Sequence, residues 1–347
     1  MIKKESLGID WIQKCVIKYK SDPIIIEKVV RALVLLEELQ KSGLQFIFKG
    51  GTSLMLMIQE PKRFSIDIDI IIEDKEQDIE AVLNIVIENT DFLKWEEHER
   101  KHNSKIEKAH YKLHYTPQTI MKGGINNILL DIVFGKNPYT ETQEINISHF
   151  LIMEDDSQPI KVTTPTLSAI LGDKLTAYGP ETTGIPLTKP KEVLKQIFDI
   201  ASIFDRIESL DNVKENFIKV AKGELIYRNF DEDDYQLIID DITNSSYNFC
   251  SSGKLNEEQY LAMQTGIGKL SNFIYGSKFR QPEAQIAVAK ASYIVKQMEL
   301  DNTKIERFDK KIDMRKWEIK NPEYNNLNRL KKHNVEAFFY WYKVFDD

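Results

Sequence analysis

Cysteine is nearly absent: Cys15 and Cys250 are the only two in 347 residues. Placed so far apart, they give neither a disulfide framework nor a paired-cysteine zinc pattern, and both are expected as reduced thiols. Long apolar runs are missing too, since no stretch approaches the roughly 18 residues a spanning helix needs. The opening "MIKKESLGIDWIQK" has basic residues with no apolar core behind them, so it does not read as a secretory signal, and a cytoplasmic protein without membrane partners is expected. Low-complexity sequence is absent, and 42% hydrophobic with 29% charged residues is ordinary for a folded chain. Positive charge is in deficit, at a net −7, which argues against a surface coated for nucleic acid. The exception is 303–333, which holds ten Lys/Arg against five Asp/Glu.

What is present suggests two parts, because 347 residues exceed the usual size of one hydrophobic core. Ser21-Asp22-Pro23 signals a helix start, and Ile26, Val29, Val30, Leu33, Leu36 and Leu39 recur at helical spacing up to Gly43. Leu44–Phe48 reads as a short strand, the Gly50-Gly51 pair as a turn, and "TSLMLMIQ" as a helix capped by Thr52 or Ser53. From Phe64 to Ile72 residues alternate, with Phe64, Ile66, Ile68 and Ile70 on one face and Ser65, Asp67 and Asp69 on the other, so a strand is predicted. A helix over Ile79–Ile87 follows, then strands at Phe92–Glu97, Tyr111–Tyr115 and, after Lys122-Gly123-Gly124, in "INNILLDIVF", which carries the lone acid Asp131.

Beyond about residue 165 the pattern turns helical, in "TLSAILGDKLTAYG", "KEVLKQIFDIASIFDRIESL" and "EAQIAVAKASYIVKQM". The expected architecture is α+β: a mixed-sheet core domain with an N-terminal helix over residues 1–160, and a mostly helical domain with a basic, aromatic tail over 161–347.

On a strand, Asp67 and Asp69 project from one face about 7 Å apart, whereas a helix would turn them away from each other. Two carboxylates without an opposing cation repel, and a hard cation such as Mg²⁺ relieves them. Backbone at Gly50 and Gly51 can approach a phosphate, the following helix start offers N–H groups and positive dipole, and Thr52 and Ser53 add hydroxyls. Asp131 joins the carboxylate pair if its strand lies alongside. A triphosphate loop beside a metal-holding strand is the minimum equipment for nucleotidyl transfer with two Mg²⁺ ions and an NTP substrate.

These residues resemble the nucleotidyltransferase superfamily that includes DNA polymerase beta, and more narrowly the AbiEii/AbiGii toxin family. The narrower likeness is carried by "KGGTSL" (Lys49–Leu54), "RFSIDID" (Arg63–Asp69), "GDKLTA" (Gly172–Ala177) and, more loosely, "KQIFDI" (Lys195–Ile200). The resemblance implies a toxin of a toxin–antitoxin or abortive-infection system, with a cognate antitoxin as a possible partner. Such a toxin would move an NMP from an NTP to an RNA acceptor, tRNA-like in some relatives, or to a protein. It assigns triphosphate binding to Gly50, Gly51, Thr52 and Ser53, Mg²⁺ to Asp67 and Asp69, completion of the catalytic carboxylate set to Asp131, and phosphate contact to Lys174. Lys195 and Asp199 fall in the fourth motif, where Gln196 stands in place of the usual Lys-Asp pair.

Plainer readings accompany these. Arg63 is either a structural partner of an acid or a nucleotide contact, Lys174 by default a surface lysine, and Asp199 by default a bridge between helices. Phe308, Trp317 and Tyr324 interleave the basic stretch and suit base stacking on single-stranded RNA, against a solvated helical face. The cluster Phe338–Tyr342 reads as packing. "HERKH", His98–His102, matches the zinc-protease pattern, but its charged flanks do not bury a helix. "DIDIIIEDKEQD" fails as a calcium loop, because Ile71 and Ile72 occupy positions that need an oxygen ligand and the turn glycine. The alternative from another class is a nucleotide-binding, non-catalytic interaction module.

Overall fold

A computed structural model of the chain describes residues 1–98, 107–120 and 123–345. It divides into two compact units, one of Met1–Asn137, Glu141–Thr166 and Asn272–Ser277, the other of Pro138–Thr140, Leu167–Ser271 and Lys278–Asp347.

The first unit opens with helices α1 (Ile9–Tyr19) and α2 (Pro23–Lys41). The Asp22 side chain accepts from Ile24 N and Pro23 fills the first turn, as the Ser-Asp-Pro signal predicts. Then come β1 (Ile47–Lys49), α3 (Gly50–Met57), β2 (Ile68–Ile72), α4 (Ile79–Asn89), β3 (Lys94–Glu97), β4 (Glu107–Tyr115), β5 (Asn126–Phe134), β6 (Thr142–Asn146) and β7 (Lys161–Pro165). Five strands form one mixed sheet in the order β1-β2-β5-β4-β3, with β2 and β5 parallel and the other pairs antiparallel. A separate antiparallel pair joins β6 and β7. Leu35, Leu36 and Leu39 of α2 and Leu83 and Val86 of α4 pack with Phe48, Ile68, Ile70, Leu113, Leu130 and Ile132 of the strands in one core. This apolar layer explains the isoleucine alternation of β2.

Two sequence expectations change here. The strand predicted from Phe64 is regular only from Ile68; Phe64–Asp67 is irregular, and Arg63 makes an isolated bridge with Ile274. Phe64 N donates to Phe273 O, so backbone bonding in this segment goes to 272–277 rather than to the sheet. The helix predicted from Thr52 starts two residues earlier. Gly50 and Gly51 form its first turn, Lys49 is its cap, and no side chain closes the cap. The HERKH pattern falls largely on 99–102, outside the described residues.

The second unit holds α5 (Leu167–Thr176), α6 (Pro190–Phe204), α7 (Val213–Tyr227), α8 (Gln236–Cys250), α9 (Glu257–Leu270), α10 (Gln281–Glu299), α11 (Leu330–His333) and α12 (Val335–Phe345). Helix α10 is buried along most of its length and packs against α6, α8 and α12. Both cysteines are buried and unbridged, and burial pushes the Cys250 thiol up to about 12.

Candidate active site

Strand register brings ionisable residues into one row across the sheet. Lys49 of β1 pairs with Asp69 of β2, Asp69 with Asp131 of β5, and Asp131 with His110 of β4. Residues directly opposite on neighbouring strands share a face, with Cα atoms about 5 Å apart. The four side chains therefore line one face, opposite the isoleucines and leucines beneath. Asp131 is a quarter exposed, and His110 Nδ1 donates to its Oδ1 at 2.7 Å. Asp69 and Asp131 thus adjoin each other because β2 and β5 are parallel neighbours, which the sequence required but did not state.

Asp67 lies one residue before β2, half-buried like Asp69. Its carbonyl accepts from Thr52 Oγ1 at 2.6 Å, and Ser53 Oγ donates to Gly50 O at 3.0 Å. Both hydroxyls are fully buried and their protons are directed at main-chain oxygens, so they brace the Gly-Gly helix start. A donor to phosphate from this segment is therefore main-chain N–H, four of which have no intrahelical acceptor at any helix start.

The two glycines are fixed by contact. Gly50 has φ +82°, and a Cβ there would sit 2.2 Å from Asp69 Oδ2; a Cβ on Gly51 would meet Arg63 Nη2 and Ser65 Oγ, each at 2.7 Å. Only residues without side chains let the helix start lie against the carboxylate on one side and the guanidinium on the other. Arg63 is buried and its Nη1 donates to Phe64 O at 3.0 Å, which pins the irregular segment that carries Asp67.

The donor set suits a Mg²⁺ site completed by substrate. Among the described residues no three His, Cys, Asp or Glu side chains converge as a metal cage. Mg²⁺ commonly takes one or two carboxylates together with substrate phosphates and water. Asp69 and Asp131, adjoining in the row and flanked by a phosphate-compatible helix start, fit that demand.

The second unit carries the remaining predicted residues. Lys174 of α5 is almost fully buried, and its Nζ lies 3.0 Å from Asp199 Oδ2 and donates to Gln196 Oε1 at 2.9 Å, both on α6. It is not the surface lysine that an amphipathic helix would give by default. Lys195 pairs with Glu192 at 2.9 Å. A cavity of about 350 Å³ in this unit is lined by Asp173, Lys189, Glu192, Glu224 and Arg228, among others.

Three residues escaped the sequence reading. His110 lies one residue outside the strand predicted at Tyr111–Tyr115, and only register reveals its place beside Asp131. Gln196, seen as a departure from a motif, holds Lys174. Lys28 of α2 is half-buried: burial pushes its pKa down, and the nearby Asp67 carboxylate opposes that shift. A lysine within an amphipathic helix gives no signal of such a neighbour.

The mixed sheet, with its carboxylate row and the Gly-Gly helix start against it, has the arrangement expected of a nucleotidyltransferase. A model of the family described as nucleotidyl transferase AbiEii toxin of type IV toxin–antitoxin systems matches residues 34–267. This covers more than half of the chain, which therefore belongs to that family of nucleotidyltransferase toxins. Among solved structures, MenT4, a nucleotidyltransferase toxin from Mycobacterium tuberculosis, is 14% identical, with 91% of this chain and 94% of that one covered at a TM-score of 0.49. JHP933 from Helicobacter pylori is 13% identical, with 79% and 95% covered at a TM-score of 0.46. No curated protein sequence matches the chain. Among the described residues no helix is long and apolar enough to cross a membrane.

Proposed function

We propose that this chain is a Mg²⁺-dependent toxin that transfers an NMP from an NTP to an acceptor hydroxyl, on RNA of tRNA-like form or on a protein, and is restrained by a cognate antitoxin. The observation that carries the reading is the contact between Gly50 and Asp69, where a Cβ would come within 2.2 Å of the carboxylate oxygen. A phosphate-binding helix start and a metal-binding carboxylate this close suit one triphosphate.

In this reading Asp69, Asp131 and Asp67 hold Mg²⁺, which when bound neutralises triphosphate charge and polarises the α-phosphate. The N–H groups at Gly50 and Gly51 bind phosphate oxygens, and Thr52 and Ser53 keep that turn rigid. Arg63 acts by fixing the segment before Asp67. The family resemblance assigns Lys174 to nucleotide phosphates; within the second unit Asp199 and Gln196 orient its ammonium, and Lys195 pairs with Glu192. The acceptor oxygen bonds to the α-phosphorus as the bond to the bridging oxygen of the β-phosphate breaks. Pyrophosphate leaves, and the hydroxyl proton passes to a carboxylate of the row.

The test incubates purified protein, Mg²⁺ and each α-labelled NTP with cell extract. Label in a nuclease-sensitive band supports an RNA acceptor, label in a protease-sensitive band a protein acceptor. Absence of any labelled band, or equal labelling with EDTA, refutes the proposal.

A further inference from the structure

Residues 303–324 form neither helix nor strand beyond an isolated bridge between Lys304 and Ser209, yet the segment is firmly anchored. The aromatic residues that suited base stacking on sequence are half-buried and packed against α12. Phe308 packs on Phe339 with ring centres 5.9 Å apart, Trp317 stacks on Tyr342 at 4.3 Å, and Tyr324 stacks on Phe345 at 4.1 Å. Met314, Ile319 and Leu327 are buried beside them. Asn328 clamps Ile319 through both its backbone groups, at 2.9 Å each. The aromatics of α12 thus serve as the floor on which this segment is laid.

The charges sort by type. The arginines are used locally: Arg307 donates to the Phe204 and Ile207 carbonyls, Arg315 forms a two-pronged pair with Asp313, and Arg329 donates to Cys250 O. Lys310, Lys311, Lys316 and Lys320 are exposed, and none of these ammonium groups forms an ion pair among the described residues. No large hydrophobic side chain of 303–333 is exposed either. An apolar protein partner would find no fully exposed large side chain to bury here, and each ring a base could stack on is already half-buried against α12. Phosphates on a polyanion would find four lysines within eleven residues, against Asp313, which Arg315 neutralises, and Glu318, on a chain whose net charge is −7.

We propose that this basic strap is the docking surface for RNA, held by its phosphate backbone without base readout. The inference deepens the acceptor part of the proposed function and rests on it, but its test needs no catalysis. Binding of a fluorescent tRNA-like stem-loop to the full chain, without NTP, is followed by anisotropy over a series of salt concentrations. The comparison is with the variant Lys310→Ala, Lys311→Ala, Lys316→Ala, Lys320→Ala. Because the four lysines are exposed, the variant is expected to melt at the same temperature as the parent.

Each phosphate contact contributes a salt slope of about 0.7 on a single strand and about 0.9 on a duplex. Loss of four contacts should flatten the logarithmic slope by about 3 and weaken binding on the order of 10²-fold at 0.15 M salt. An unchanged slope and affinity in a folded variant overturns the proposal, whatever other partner the segment then binds. RNA binding that depends on the strap, together with no NMP transfer to any acceptor, would leave the strap standing and remove the proposed reaction.

Discussion

Gly50→Ala separates the two roles given to the Gly-Gly pair, because its two costs differ in kind. The backbone at Gly50 has φ +82°, and a left-handed conformation costs an L-residue roughly 1–2 kcal/mol. The new Cβ would lie 2.2 Å from Asp69 Oδ2, whereas ordinary contact begins at 3.4 Å. Either the carboxylate or the helix start must then move by about 1 Å, and a displacement of that size at a reacting centre costs on the order of 10²-fold in rate. Gly43→Ala is the matched control, since Gly43 has φ +84° with nothing within 4 Å of the added Cβ. Gly43→Ala should lose about 1–2 kcal/mol in chemical denaturation and Gly50→Ala at least as much, and Gly50→Ala alone should lose about 10²-fold in NMP transfer. If Gly50→Ala keeps activity within threefold of Gly43→Ala, the contact between helix start and Asp69 is not part of the site.

Further predictions test neighbouring parts. His110→Asn keeps an N–H donor for Asp131 Oδ1 and should retain most activity and Mn²⁺ affinity by paramagnetic resonance; His110→Leu should lower both, and equal behaviour of the two variants would remove His110 as a positioning residue. Removing one partner of the buried Lys174–Asp199 pair should cost about 3–5 kcal/mol, while Lys174→Met with Asp199→Leu recovers stability but not activity. Recovery of activity by that double variant would deny Lys174 a ligand role. Burial holds the His149 imidazole neutral, with its pKa pushed down to about 3. The unfolded chain takes up that proton below about 6.5 and the folded chain does not, so stability falls with pH from about 6.5 toward 3, by up to about 1.4 kcal/mol per pH unit. His149→Asn, which keeps an acceptor for Leu151 N, should flatten that slope in urea titrations at pH 7 and pH 5.

The sheet core was legible because its signals are local. Period-two alternation in β2 and the apolar run of β5 reflect burial on one face, and each needs only neighbouring residues to be seen. The adjacency of Asp69 and Asp131 needs strand order, which local pattern does not contain. His110 needs register as well. The start of α3 was misread because a glycine at φ +82° looks like a turn in sequence, while its Cα in fact lies against a carboxylate of the next strand. Helices α7, α8 and α9 went unseen because polar residues such as Asn216, Asp241 and Gln259 are buried in them and blur the apolar period. The basic segment was only partly legible for the converse reason: composition shows rings among lysines, and only packing shows that those rings lie half-buried on α12 in a segment without helix.

The carboxylate row is proposed to perform metal-dependent nucleotidyl transfer. Its most direct test is labelled NMP transfer by the folded protein and by Asp69→Asn, a change that keeps size and removes charge, with melting temperature measured alongside. Mg²⁺-dependent transfer with pyrophosphate release is expected of the parent, and a loss of at least about 10²-fold in Asp69→Asn at an unaltered fold. Transfer by Asp69→Asn at the parent's rate would contradict that role.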